Sequence, residues 1–591
     1  MKKSFLCLVL SSLIALSLML ASCGTTSPTA TTSTNTATST NTATSTTTTT
    51  PVTTSSSALT PQYGGTFTYL TAEDPLAWDA AYYNLSVGEP IMNQMGLWYE
   101  SLAFPDYSVP RSTYDFKNSF IPLQYEAGKL AESWEIATDW TSYTFNIRQG
   151  VYWQNIAPMN GREFTAQDVV WNEDRDMGLG GVAAAPLYPQ SNFPGIVSVT
   201  ATGPFTVVYG LAAPSMTLLS VILGDVMSDF MMPPEAVQLW GNVQNPDHQI
   251  GTGPFILQDY VAQSSMTCIR NPNYYLFDPK NPKNQLPYVS EVRVLNIPDV
   301  STAISALRTG KLSLMEAVNW QTAAATLKSS PQLQEVTSPL NGPALAYRLT
   351  VAPYNNIQVR QAIQMAIDLS TIASSYLGGT VPGTPTGTEA ITGYCWPFAQ
   401  WPTALQGTYL YNPTAAKQLL TAAGYPNGFS TTLAISTADD SGLFQIVKSY
   451  LAAVNINVTI QVMDPTSWAA YLNGPNNTMC SWTQYGWQGT FPVVNCLNNF
   501  YSKHPRTLVN GLSSQPSTAF DAIYAAAAAS LDPTKYMGLI QQADMYAIEQ
   551  QWQVNLLPRV SDNIYQPSLH GYQGEDRMLI TDGPYIWLSQ N

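Results

Sequence analysis

Charge is scarce in this chain of 591 residues. Asp, Glu, Lys and Arg make up 11% of it, with 39 acids against 24 bases and a formal net charge of −15. Nucleic-acid grooves need concentrated Lys and Arg to displace counterions, so a nucleic-acid partner is not expected. Histidine is scarcer still: His248, His504 and His570 stand far apart. Beyond Cys7 and Cys23 the cysteines are Cys268, Cys395, Cys480 and Cys496, with no Cys-x-x-Cys pair. That spacing predicts no zinc site or other metal centre. In an oxidising compartment a disulfide among Cys395, Cys480 and Cys496 stays open, with a connectivity that sequence does not fix. Motifs of catalysis are also missing: there is no Gly-x-Ser-x-Gly elbow, His-Glu-x-x-His helix, P-loop or dinucleotide fingerprint. The expectation is therefore no enzyme and no cofactor. A secreted hydrolase stays as a minor alternative, since a glycosidase needs only two facing carboxylates. After Cys23 no apolar run is long enough to span a bilayer.

What is present begins with an export pattern. Lys2 and Lys3 precede an apolar stretch, Phe5 to Leu20, followed by the small residues Ala21 and Ser22. Leu20-Ala21-Ser22-Cys23 resembles the lipobox of prokaryotic lipoproteins. The resemblance implies a signal peptide over 1–22, cleavage before Cys23 and a diacylglycerol on its thiol. Loss of the two signal lysines takes the charge from −15 to −17. Residues 24–60 are nearly all Thr, Ser, Ala, Asn and Pro, with Thr-Ser-Thr-Asn-Thr-Ala twice in tandem at Thr32–Ala37 and Thr38–Ala43. No apolar face exists there to offset chain entropy, so 23–60 is predicted to be a disordered tether. Its reach is roughly 35 Å as a coil and on the order of 120 Å when straight.

From about Thr60 the composition becomes globular. A surface covered by Thr, Ser, Asn and Gln suits a protein outside the cytoplasm and is compatible with acid surroundings. More than 500 residues predict at least two domains. In Ser142–Val151, Tyr143, Phe145 and Ile147 alternate as in a strand. Thr165 is placed to cap a helix with Asp168 in its first turn. Val359, Ala362, Ile363, Ala366 and Ile367 recur at helical spacing. Asn412-Pro413 opens another helix that Gly424 closes, and Asp532-Pro533 repeats the start. "VNLLP" reads as a buried strand, and Gly251-Thr-Gly-Pro-Phe255 as a turn whose glycines supply special backbone angles. Asp168, Arg360 and Asp368 read as caps or local pairs. Helices alternate with strands, which defines an α/β class.

Eight fragments then fall in a familiar order: "YGGTFTYL", "LAESWEIATDWTSYTFNIRQGVYW", "FTAQDVVW", "GTGPFIL", "RNPNYY", "AISALRTGKL", "VRQAIQMAID" and "LLTAAGYPNGF". Together they resemble family 5 extracellular solute-binding proteins, the large peptide, nickel and oligosaccharide receptors of ABC importers, across Tyr63 to Asn591. The resemblance implies a two-lobe periplasmic-binding-protein-like fold. Lobe I would take 61–342, with an extra subdomain at about 100–205. Lobe II would take 343–553, and 554–591 would return to lobe I. It further implies a monomer that closes on its ligand and docks on an ABC permease and ATPase complex, held to the membrane by its lipid anchor.

In the peptide-binding members a Gly-Trp pair precedes, by three residues, an aspartate that holds the peptide's ammonium. Here Gly486 and Trp487 are followed by Thr490. A hydroxyl cannot neutralise an ammonium, and the missing charge-assisted bond is typically about 1.5–3 kcal/mol. Free-amine anchoring then needs another acid, such as Asp464. Trp468 matches a second cleft position, and Gln484 joins the candidate ligand contacts. Stacking of sugar rings on Trp468 and Trp487 is the alternative to peptide capture.

Replacing Cys23 with Ser is expected to abolish lipid incorporation and move the protein from the membrane to the soluble fraction. Undiminished membrane retention of the variant refutes the lipobox.

Overall fold

The computed structural model describes Thr60–Gln590 apart from residues 72–73, 76, 83–93, 118–120, 181–194, 225–229, 341, 386–393, 473, 475, 484–496, 498, 504–510, 513–514 and 576–582. The expected signal, Cys23 and the tether lie outside the described residues. The fold is α/β. Strands β1 (Thr66–Thr71), β12 (Glu291–Asn296), β9 (Ser265–Arg270) and β8 (Phe255–Val261) form one sheet in that order, with β1 and β12 parallel. Strands β4 (Ala131–Ile136), β5 (Ser142–Ile147), β7 (Thr206–Leu211) and β6 (Ile196–Gly203) form an antiparallel second sheet. Two short pairs decorate this half: β2 (Ala103–Pro105) with β3 (Glu126–Gly128), and β10 (Phe277–Asp278) with β11 (Asn281–Gln285).

A third sheet sets β20 (Arg559–Tyr565) between β13 (Leu314–Val318) and β14 (Gln334–Leu340). The fourth has the order β17 (Ile456–Met463), β16 (Phe429–Ser436), β18 (Met479–Thr483), β15 (Pro343–Tyr347), β19 (Gln553–Asn555). The chain passes from the third sheet to the fourth between Leu340 and Pro343, and returns between Asn555 and Arg559. On each side of the passage the two strands pair with one another, β14 with β20 and β15 with β19. The interruption has a chemical cause, because Pro343 and Pro558 have no N–H to give a ladder. Leu556 N still donates to Pro343 O at 3.1 Å, so the two passages stay side by side.

Local rules hold where the sequence is periodic. Tyr143, Phe145 and Ile147 are buried along β5. Thr165 and Asp168 form a capping box on the helix Ala166–Met177, which ends at Gly178 with φ 66°. Asn356, Asn412 and Asp532 cap the helices Ile357–Ala366, Pro413–Ala422 and Pro533–Gln550. The three charges read as structural are so: Arg162 grips Asp168 at 2.5 Å, Asp368 accepts from Thr371 N, and Arg360 donates to Gln550 O, Gln551 O and Tyr354 O. Arg360 thus satisfies carbonyls at the end of Pro533–Gln550, where helices leave them unpaired.

Three expectations need correction. Ile367 is buried but lies beyond its helix, in extended backbone. "VNLLP" is not one strand: Val554 and Asn555 end β19, while buried Leu556 and Leu557 form the crossing. Gly251 and Gly253 have no positive φ. They are required by close approach, since a Cβ would stand 1.6 Å and 2.8 Å from Trp98 O. Cys480 is a buried free thiol whose Sγ contacts Ala346 O, and burial pushes its pKa up. Cys496 lies outside the described residues.

Separate apolar cores fill the two halves, one around Phe67, Trp98 and Phe145, the other around Leu345, Val359 and Phe444; Trp140 packs against both. The ends of the described chain meet: Gln590 N donates to Gln62 Oε1 at 3.0 Å, and Leu588 covers Gly65. Several charged side chains are buried in the half around Phe67 and Trp98. Arg175 holds Asp79 through two bonds of 3.1 and 2.9 Å, and Lys129 lies 3.6 Å from Glu100. Among the described residues, the side chain of Glu173, 1% exposed, has only the Tyr209 hydroxyl, at 2.5 Å. Burial pushes its carboxyl up to about 7 against the pull of that hydroxyl, and Asp174 adds to the rise. Asp176 is likewise pushed well up by burial and by Glu173.

A carboxyl whose folded pKa is raised binds its proton more tightly in the native state than in the unfolded chain. Stability is then greatest below the unfolded value of 4.5 and declines as pH rises towards about 7. For Glu173 the decline is expected to reach about 3 kcal/mol. Urea unfolding at acid and neutral pH should show it, and Glu173→Gln should flatten it. An identical pH slope in the variant contradicts the assignment.

Candidate functional site

A cavity of about 440 Å³ opens beside the two crossings. One wall is Ala317–Gln321, the end of β13 and the turn after it, with Arg559–Ser561 at the start of β20. The opposite wall brings Tyr376, Leu377, Thr380 and Asp440 from the half that holds the fourth sheet. Its location follows from topology. Parallel β16, β17 and β18 end at Ser436, Met463 and Thr483, on the edge where β15 begins and β19 ends. Ligands of open α/β sheets bind beyond such carboxyl ends.

Trp320 joins the walls. It is the first residue of the helix Trp320–Ser329, which Asn319 caps by accepting from Thr322 N at 2.9 Å. Its Nε1 donates to Tyr376 O at 2.9 Å. The indole lies on Gly378, where a Cβ would meet Trp320 Cε3 at 2.7 Å. Gly378 also has φ 65°, so both space and backbone demand glycine. The Tyr376 hydroxyl donates to Asp440 Oδ1 at 2.7 Å, and that oxygen also accepts from Leu443 N at 3.1 Å. Burial and the Asp440 carboxylate push the phenol up to about 12, so it remains a donor at neutral pH. Asp440 and Arg559 are the charged side chains among the lining residues, one of each sign.

Beneath the first wall, Ala317 takes φ 57° at a bulge in β13, and its N–H donates to Ser561 Oγ and Asn563 Oδ1 at 3.1 and 3.2 Å. Asn563 Nδ2 continues to Ser338 Oγ at 3.0 Å. This polar seam ties all three strands of the third sheet together under the cavity.

Of the residues singled out in the sequence, Trp468 is described. It stands half-buried on the helix Pro465–Leu472, and its Nε1 donates to Ser481 Oγ at 3.1 Å. Ser481 Oγ in turn donates to Asp439 Oδ2 at 2.5 Å. Trp482 stacks on Trp468 with centroids 6.4 Å apart. Gln484, Gly486, Trp487 and Thr490 lie outside the described residues. Asp464, weighed as a substitute ammonium anchor, is not among the residues lining this cavity. It is an exposed cap whose carboxyl is held low by Ser467. Sequence reasoning missed these residues because Trp320 looks like an ordinary helix start, Asp440 like a cap, Arg559 like a strand start and Tyr376 like the end of the short helical turn Ile372–Tyr376. The Gly378-Gly379 pair beside an aromatic was the available signal. Among the described residues no three His, Cys, Asp or Glu side chains converge on a metal site, and no helix is long and apolar enough to cross a membrane.

Two halves joined by paired crossings, with a cavity between them, define a two-lobe periplasmic binding protein. The chain belongs to the bacterial extracellular solute-binding proteins, family 5, whose model for the middle region matches residues 127–507. Heme-binding protein A of Haemophilus influenzae is 26% identical over 441 residues, 72% of this chain and 74% of that one. Glutathione-binding protein GsiB of Shigella boydii is 26% identical over 349 residues, 58% of this chain; the match spans 62% of that relative's length. The periplasmic binding protein DppA from Helicobacter pylori, solved with the peptide STSA, shares the fold with a TM-score of 0.69 at 22% identity, over 90% of this chain and 99% of its own.

Gly378→Ala should force Trp320 away and place alanine at a left-handed angle, costing about 1–2 kcal/mol from the backbone alone. Urea unfolding is the measure, and unchanged stability means that Trp320 does not pack as described.

Proposed function

We propose that this protein is the extracytoplasmic receptor of an ABC importer, anchored through lipid on Cys23. It captures an oligopeptide between lobes spanning 61–342 with 554–591, and 343–553. It then delivers the peptide to a membrane permease and its ATPase without acting on it chemically. The observation that carries this reading is the cavity at the crossings, walled from both halves and bridged by Trp320. A ligand that touches both walls favours the closed arrangement by its extra affinity for it. That differential affinity sets how far the population shifts.

The charges fit a zwitterion. Asp440 offers a carboxylate to an ammonium, and Arg559 a guanidinium to a carboxylate; charge-assisted bonds of this kind contribute about 1.5–3 kcal/mol each. Asp440 thereby takes over what position 490 lacks. The peptide carried by the DppA structure and the glutathione named for the GsiB relative support a peptide cargo. One observation favours a second reading, oligosaccharide capture: the stacked pair Trp468 and Trp482 stands at the same sheet edge and offers faces to sugar rings.

Mass spectrometry of ligand co-purified with the protein should reveal a peptide, and small-angle scattering should show compaction on binding. Asp440→Asn keeps the cap and the Tyr376 bond but removes the charge. It should weaken peptide binding by about tenfold, or 1.4 kcal/mol, and leave a neutral saccharide unaffected. Full peptide affinity in Asp440→Asn, or turnover of any peptide or glycoside, sinks the proposal.

A further inference from the structure

A second cavity among the described residues, about 880 Å³, is not at the crossings. It is a groove on the half built on the first two sheets, between the segment 148–161 and the segment 272–285 that carries the β10–β11 hairpin. No element of the fourth sheet reaches it, and closure of the lobes does not require it. Its composition is distinctive. Tyr152 and Phe277, one from each segment, line it while 48% and 51% exposed. Aromatic rings gathered in one concave groove, unlike apolar residues scattered singly, are a mark of ligand sites.

The rest of the lining is polar and balanced in charge. Glu132 and Arg148 are the charged residues lining it, and they cancel. Arg148 is also engaged, donating to Lys129 O at 2.9 Å and to Gly128 O at 3.2 Å, with its guanidinium over the Tyr275 ring. Phosphate or a polyanion therefore finds no free cation here. The amides of Asn155 and Asn273, by contrast, make no side-chain hydrogen bond among the described residues and line the groove from opposite segments. An amide presents a donor and an acceptor side by side. That is the pattern complementary to two adjacent hydroxyls.

The walls are fixed in advance. Tyr274 and Tyr275 hang from buried Glu100 by bonds of 2.9 and 3.3 Å, and Lys129 neutralises that carboxylate. Gln285 Nε2 donates to Tyr274 O at 2.6 Å, which closes the far side of the hairpin. On the other segment, Gly150 N donates to Glu163 Oε1 at 2.7 Å and Trp153 N to Arg162 O at 3.0 Å. A groove that does not reorganise loses less on binding, and its volume lies within the usual range for ligand sites.

We infer that this groove binds a neutral glycan, with Tyr152 and Phe277 taking the CH faces of successive sugar rings and Asn155 and Asn273 taking their hydroxyls. Sugars match it because each ring has an apolar face and a hydroxyl rim. The site is separate from the cleft, so a receptor tethered in the cell envelope gains a second hold on surrounding polysaccharide.

The test is affinity electrophoresis of the full protein in gels containing soluble neutral polysaccharides, paired with calorimetry on the matching hexasaccharides. Retardation by at least one glycan is expected, and Tyr152→Ala or Phe277→Ala should weaken it about tenfold each, the scale of one stacked aromatic. Thermal stability and cleft binding of peptide should not change, since both rings are exposed and remote from the crossings. Asn155→Ala with Asn273→Ala provides a second pair. Binding of the polymer and the hexasaccharide alike identifies a free-sugar site; binding of the polymer alone identifies attachment to polysaccharide. Retardation by none of them, equal binding in the aromatic variants, or preference for a sulfated polymer overturns the inference.

Discussion

Strand pairing across the two crossings is the constraint on which the rest of the structure depends. From Gln334 opposite Tyr565 to Leu340 opposite Arg559, β14 and β20 keep continuous register, and beyond the gap β15 and β19 take it up again. Two strands that are neighbours on both sides of a break can bend together at the break. They cannot slide past each other, because a one-residue slip would turn every side chain to the wrong face. The prolines at 343 and 558 remove ladder donors at the bend itself. The closure proposed above would then be a rotation about the crossings, one that widens or narrows the cavity without misaligning its walls.

Much of the fold was legible from local chemistry. Capping residues, alternation along β5 and the helical spacing of Val359, Ala362 and Ile363 each depend on neighbours within one or two turns, and each is found as expected. Failures share the opposite property. Gly251 and Gly253 looked like residues of a special turn, whereas their requirement comes from Trp98, about 150 positions away. "VNLLP" had the apolar content of a strand, yet its pairing partner across the gap ends at Pro343 and the ladder cannot continue. The family, and with it the two-lobe architecture, was readable because eight short fragments keep their order over the whole body.

The candidate site was much less legible. Asp440 follows the grammar of a helix cap, and only the fold brings it into a cavity with Arg559 and Trp320. Trp468, singled out as a cleft position, has its indole N–H already occupied by Ser481. Any contribution to binding has to come from the ring face. A scarcity of charge sharpens such contacts. In a chain with so few ionic groups, one carboxylate and one guanidinium among the lining residues weigh more on the local field of the cavity than they would on a densely charged surface.

The meeting of the two ends of the folded body, at Gln62 and Gln590, has a practical outcome. A fusion partner, a fluorophore or a surface linker attached at Gln62 or at Gln590 departs from one corner. Opening new ends in an exposed turn and splicing the old ones together demands only a brief bridge. The molecule is thus suited to circular permutation, and a reporter spliced near the bend would turn lobe rotation into an optical readout.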